Sequence, residues 1–233
     1  MTGKNIASFW AEFYSGAIVY KKTVGTKYKI ILEHERAVAR AVAASLIQPK
    51  QITVWEIMIP VIFILNFAKI KQSREVFIQN HLFTKNMALK AAFDMNKKGL
   101  GRQEVMDRIE SQTKKTLASV PETLYSDEIR REQIKEIELL LEHYGRLFKA
   151  AGRDYPVLVV DAYQTRENYA AFYKQLKAAE NDVMMAARRT LGDQADSQAA
   201  GRLEEITDRI RAAGVNKIFN TDSRPQDAQQ PGN

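Results

Sequence analysis

Residues 52–68, ITVWEIMIPVIFILNFA, are the one stretch where apolar side chains crowd together without periodic polar relief. No charge falls between Ile57 and Ala68, and Lys50 and Lys69 bracket the run. A helix needs about 20 mostly apolar residues, at 1.5 Å each, to cross roughly 30 Å of hydrocarbon. This run is shorter and includes Glu56, Pro60 and Asn66. Upstream stand eight Lys or Arg against three acids. A span would therefore export either that basic arm, against the positive-inside bias, or the long charged remainder. Two readings stay open: a buried core helix and a half-inserted membrane anchor.

Charge bears on that choice. Of the 35 basic and 28 acidic residues, 1–102 hold 16 and 6, a balance of +10, leaving 19 and 22, or −3, beyond. Anionic lipid attracts each nearby Lys or Arg by about 1 kcal/mol. An apolar wedge within a basic half is the pairing that two-signal membrane attachment requires. Nucleic acid would account for the cations but not for the wedge.

Elsewhere the apolar periodicity is helical. Ile6, Phe9, Trp10, Phe13, Tyr14, Ala17 and Ile18 form one stripe over 5–20, with a break expected at Gly25–Thr26. A second helix is predicted from Lys27 to Ile47, with Ile31, Val38, Val42 and Leu46 on one face, an Ala-rich end, and Pro49 as its stop. Beyond Lys69, Ile78, Leu82, Leu89 and Phe93 continue to Met95, where Gly99 and Gly101 end the run. A helix unbroken from 52 to 98 would reach roughly 70 Å, so a turn near Gln72–Ser73 is the alternative. A charged helix with Val105, Ile109 and Leu117 spans 102–119.

Ser126, before Asp127 and Glu128, has the chemistry of an N-cap with acids at the positive end of the helix dipole. The helix it opens carries Ile134, Ile137, Leu141, Tyr144 and Phe148 in coiled-coil-like 3-4 spacing. Asp154 caps another, because Val157–Val160 has no second strand to pair with. That helix is expected to continue through Tyr169, Phe172, Tyr173, Leu176 and Val183 to Leu191. After Gly192 a last helix with Leu203, Ile206 and Ile210 ends before Gly214, and from Asn220 the composition is that of a disordered tail. The fold class is all-α, six to eight helices in a bundle or elongated array. Three regions are expected: 1–101, basic with the hydrophobic segment; 102–219, charged; and 220–233, the tail.

Little in the chain points to catalysis. Cysteine is absent, which removes thiolate and disulfide chemistry. Glu33-His34-Glu35 and Glu142-His143 invite a metal, but helical di-iron sites use Glu-x-x-His, and Ile31 and Leu140 stand where the glutamates belong. The histidines, His81 included, are expected at the surface, with no metal and no cofactor. Gly99-Leu100-Gly101 lacks the further glycine and preceding strand of a dinucleotide loop. Glu56 either faces solvent in a first helical turn or pairs with Lys50 or Lys21. No leader with a basic start and an apolar centre opens the chain, so a cytoplasmic setting is expected.

Around residues 36–67, ERAVARAVAASL and VWEIMIPVIFILNF resemble a family of uncharacterised bacterial helical proteins. The resemblance implies a bacterial helical protein and carries no activity. The expected function is a non-enzymatic, membrane-associated scaffold or interaction protein at the inner face of the membrane. Trp10, Phe13, Trp55, Ile59, Ile62, Phe63 and Leu65 would enter an anionic interface while Lys69 and Lys71 reach headgroups. Ile134, Ile137, Leu141, Tyr144 and Phe148 would face a protein partner or a second copy. The alternative is a soluble bundle that binds nucleic acid or an acidic protein through its basic N-terminal half.

Overall fold

A computed structural model of the chain describes residues 5–46, 73–122, 125–192 and 197–220, with α1 side chains placed from Thr23 onward. The described residues form eight helices and no strand: α1 (Asn5–Leu46), α2 (Ser73–His81), α3 (Phe83–Lys98), α4 (Arg102–Ser119), α5 (Asp127–Lys149), α6 (Tyr155–Tyr163), α7 (Arg166–Leu191) and α8 (Ser197–Asn220). The fold is all-α. The hydrophobic segment 52–68, Gln72 of the expected turn and residues 221–233 of the expected tail lie outside the described residues, while Ser73 opens α2 and Asn220 closes α8.

The break expected at Gly25–Thr26 does not occur, and α1 runs through it for 42 residues. Glycine in a helix costs only about 1 kcal/mol. Burial on both sides outweighs that, with Val24 and Ile31 at 2% and 0% exposure. Further along, buried Ala39 and Ala43 one turn apart let α1 approach its neighbours closely, as the alanine-rich composition predicts. It packs on α2, α3 and α8. Lys27 reaches across to α5, donating from Nζ to the carbonyls of Phe148 (2.9 Å) and Ala150 (2.6 Å). A cation there answers the unsatisfied C-terminal carbonyls of a helix.

Between α2 and α3 the chain bends at Leu82 without losing its bonding. Leu82 N–H donates to Ile78 O (3.0 Å) and Leu82 O accepts from Asn86 N–H (2.7 Å). Gly99 ends α3 with φ 73°, the left-handed cap its position predicts, and donates to Met95 O. Ser126 Oγ accepts from Ile129 N–H (3.3 Å) and Asp154 Oδ1 from Val157 N–H (3.0 Å), so both predicted N-caps form.

Three further sequence expectations about the helices need correction. The helix opened by Asp154 does not continue to Leu191: Gln164 takes φ 63° and Thr165 caps α7 afresh, accepting from Asn168 N–H. The last helix does not stop before Gly214, because Val215 and Ile218 join the core one and two turns after Arg211. The expected partner surface on α5 is used internally. Ile137, Leu141, Tyr144 and Phe148 are at most 3% exposed, and Ile134 packs against the same core.

α5 lies at the centre, flanked by α3 and α7 and touched by α1, α4 and α6. The main core draws side chains from α1 and from every helix after α2, so it crosses the expected boundary at 101/102. A smaller cluster joins Val42, Ala43 and Leu46 of α1 to Phe77 of α2, with Leu203, Ile206 and Ile210 of α8 against it.

Two glycines test this backbone. A Cβ at Gly25 would meet nothing within 4 Å, whereas one at Gly152 would lie 2.9 Å from Leu158 N and 3.1 Å from Val157 Cγ1. Gly25→Ala should therefore stabilise the chain by about 0.5–1 kcal/mol. Gly152→Ala should cost about 1–3 kcal/mol by overpacking a tight turn. Urea unfolding measures both, and a destabilised Gly25→Ala would contradict the continuous α1.

Candidate functional site

Polar residues recur at one-turn intervals on several inward faces: Asn80 with Thr84, His81 with Lys85, Gln133 with Glu136, Lys177 with Glu180, and Thr207 with Arg211. Such spacing puts each pair on one side of its helix. The five pairs converge on a single cavity of about 190 Å³ among α2, α3, α5, α7 and α8. Phe77, Phe83, Ile129, Val183, Met184 and Leu203 supply its apolar walls.

At its base lies a buried ion cluster. Arg211 donates to both oxygens of Glu180, at 2.6 and 2.7 Å, in the bidentate geometry that suits guanidinium and carboxylate. Lys85 Nζ donates to Glu180 Oε1 at 3.3 Å, and Thr84 Oγ1 to Glu136 Oε1 at 2.7 Å. Lys85, Glu136 and Arg211 are 4%, 5% and 7% exposed. Burial works to raise the Glu180 pKa, but Arg211 and Lys85 outweigh it and hold the carboxyl well below the usual range. For Glu136 burial prevails over the pull of Lys85 and pushes the carboxyl upward. Burial likewise opposes the Arg211 charge and Glu180 more than offsets it. The base thus holds two cations, one firm carboxylate and a second carboxyl whose pKa burial raises.

Three polar atoms lining this cavity are buried without a hydrogen-bond partner: Asn80 Oδ1, His81 Nε2 and Thr207 Oγ1. Each such atom costs roughly 1–3 kcal/mol, so native interiors contain few of them. Burial, reinforced by the Lys85 cation, pushes His81 down to about 3, which leaves a neutral imidazole at pH 7. At the rim, Lys177 bonds both Glu204 and Asp208.

A second buried polar group sits among α5, α6 and α7. His143 Nδ1 lies 2.7 Å from Tyr163 Oη, and its ring stacks on Phe172 at 4.2 Å. The Tyr155, Tyr169 and Tyr173 hydroxyls form a chain at 3.0 and 2.9 Å. The expectation of surface histidines is thus corrected: His143 is 2% exposed, and His34 is half-buried and stacked on Tyr155 at 3.4 Å. Neighbouring aromatic rings, which the local sequence does not reveal, draw them inward. Among the described residues no three His, Asp or Glu converge on a possible metal position.

Trp10 and Phe13 lie on α1, but their side chains are outside the described residues. Trp55, Ile59, Ile62, Phe63, Leu65, Lys69 and Lys71 are outside them altogether, as is Glu56. Of the cavity's polar residues the sequence singles out His81 alone, and as a surface residue; Val183 and Leu203 stand out only as apolar helix positions. The one-turn polar pairs were visible there, but nothing local says that their faces meet. Comparison with family models, curated proteins and solved structures finds no match to this chain.

The ion cluster distinguishes its two glutamates. Glu180→Gln strands two buried cations and should cost about 3 kcal/mol. Glu136→Gln keeps an acceptor for Thr84 and should cost under about 1 kcal/mol. Equal losses in chemical denaturation would contradict the charge assignment.

His143 gives a pH signature. Burial chiefly, aided by nearby cationic groups, pushes it down to about 3. The unfolded histidine titrates near about 6.5. Between those values the unfolded chain holds the extra proton, so stability falls as pH drops from 6.5, approaching about 1.4 kcal/mol per unit. Unfolding free energies at pH 7 and 5 should diverge less in the double variant His143→Phe, Tyr163→Phe. An unchanged slope would count against a neutral buried imidazole.

Proposed function

We propose that this chain is a non-enzymatic helical interaction protein that docks on an anionic membrane at its cytoplasmic face through the 52–68 wedge and the flanking lysines. One observation carries the reading. Leu46, where the described chain stops, and Phe77, soon after it resumes, belong to one apolar cluster. The described residues that flank 47–72 on either side therefore meet in one cluster. Large apolar side chains are otherwise well covered: among the described residues the exposed ones are Val157 (48%) and Met185 (46%). No helix among the described residues is long and apolar enough to cross a membrane.

Magnitudes set the expected behaviour. Burying Ile59, Ile62, Phe63 and Leu65 is worth about 1.5–3 kcal/mol each, against about 1 kcal/mol for each of Lys50, Lys69 and Lys71 near anionic lipid. The apolar contribution dominates. With the α5 stripe buried, any protein partner would have to meet a different face.

Co-sedimentation with phosphatidylserine–phosphatidylcholine vesicles tests this. The parent should pellet, less at high salt but still measurably, and Ile62→Asp, Leu65→Asp should stay in the supernatant while remaining folded. A parent that ignores vesicles, with a double variant that unfolds in solution, would assign the segment to the core. Steeply salt-dependent binding to an oligonucleotide without vesicle binding would favour the basic-face alternative.

A further inference from the structure

We propose that the cavity among α2, α3, α5, α7 and α8 is a binding site for a small uncharged molecule with an apolar body and a primary amide head. This inference stands apart from membrane docking. Asn80 and Thr207, each 6% exposed, and His81 through its buried Nε2 bring to this cavity three polar atoms with no hydrogen-bond partner among the described residues. An ion cluster serving only to tie helices together has no need of them. Water alone suits the space poorly, because a buried water needs about two to four polar partners and most of this surface is apolar.

The head group follows from what each atom can do. Asn80 Oδ1 only accepts, so the ligand must donate to it. Thr207 Oγ1 can donate or accept, and the Nε2 of a neutral His81 does one or the other according to its tautomer. A primary amide brings two N–H donors and a carbonyl oxygen with two lone pairs, and so meets all three atoms in either tautomer. A ketone or a carboxylate has nothing to give Asn80.

Charge argues against an ionic head. Deep in the cavity Lys85 and Arg211 balance Glu136 and Glu180. Around them Lys177 and Arg188 balance Glu204 and Asp208. The formal charges of the lining therefore sum to zero, and an ionic ligand would be buried without a counter-ion, which costs far more than burying a neutral polar group. A neutral head leaves that balance as it stands and does not depend on the protonation of Glu136.

Size and lining set the rest. A cavity of about 150 Å³ accepts benzene, so about 190 Å³ suits a benzamide- or hexanamide-sized molecule. Phe77, Phe83, Ile129, Val183, Met184 and Leu203 would hold its ring or chain. A few polar groups in a mostly apolar pocket is the usual design of a small-molecule site.

Calorimetry and thermal denaturation of the full chain test the proposal, with benzamide and hexanamide as probes. Three controls keep the shape of each probe: the methyl ketone lacks the donor, the carboxylate adds a negative charge, and the amidinium adds a positive one. At least one amide should bind and raise Tm, and each of its controls should bind at least about tenfold more weakly, or about 1.4 kcal/mol. Thr207→Val should leave unliganded stability unchanged or higher, since it removes an unsatisfied hydroxyl, while weakening amide binding about tenfold. Asn80→Leu should remove most of the preference for amide over ketone, a readout that packing alone would not move; should that variant not fold, Thr207→Val decides. The proposal is overturned if neither amide binds, which would leave the three atoms to water. A control that binds as tightly as its amide, or a Thr207→Val variant with full affinity, overturns it too. It also fails if Thr207→Val destabilises the unliganded chain, because the hydroxyl would then have a structural partner.

Discussion

A polar side chain can enter a protein interior only if something there replaces the water it gives up. α5 buries four of them, and the fold is arranged around satisfying them. Arg130 Nε donates to Thr113 Oγ1 of α4 at 3.2 Å. Gln133 accepts from the Tyr125 hydroxyl at 2.7 Å. Glu136 accepts from Thr84 of α3, and His143 pairs with Tyr163 of α6. Each partner comes from a different element. A shift of α5 by one residue would rotate its side chains by about 100° and break all four at once. The apolar face drives α5 inward, and its polar residues select a single register for the helices around it.

Buried polarity is handled in two ways within one molecule. Around His143 the imidazole and the hydroxyls of Tyr155, Tyr163, Tyr169 and Tyr173 have partners, and of the tyrosines there only Tyr144 has a buried hydroxyl without one. Around Lys85 the charges are paired, but Asn80, His81 and Thr207 are not, and the space between them is open. The first arrangement behaves as a packed interior. The second has unmet hydrogen-bonding capacity facing a cavity, as in a site prepared for a small polar head. Phe77 and Leu203 contribute both to that cavity and to the apolar cluster from which residues 47–72 depart, so the two functional proposals concern adjoining parts of the bundle.

What could be read without coordinates was local. Ser126 and Asp154 announced their helices because an N-cap is chosen by one side chain and the amides just after it. Gly99 announced a stop because a left-handed residue favours glycine. Readings that needed knowledge of neighbours did not hold. Gly25 and Gly214 look like breaks, yet Val24 and Ile31 around the first, and Arg211, Val215 and Ile218 around the second, are buried and carry the helices through. The α5 stripe reads equally well as a surface for a partner or as a core, because periodicity says that a face is apolar and not what covers it.

By itself, then, the sequence determined helical class, most cap positions, the uneven charge and the presence of one apolar run bracketed by lysines. These depend on residues a turn or two apart, where propensity and capping act. Tertiary structure alone decided that α5 is central, that His34 and His143 turn inward, and that Glu180 and Arg211 meet Lys85, 95 and 126 positions away from them, over an open cavity. Those outcomes depend on which helix faces are pressed together, and the free energy of burying a face depends on its neighbour rather than on its own spacing.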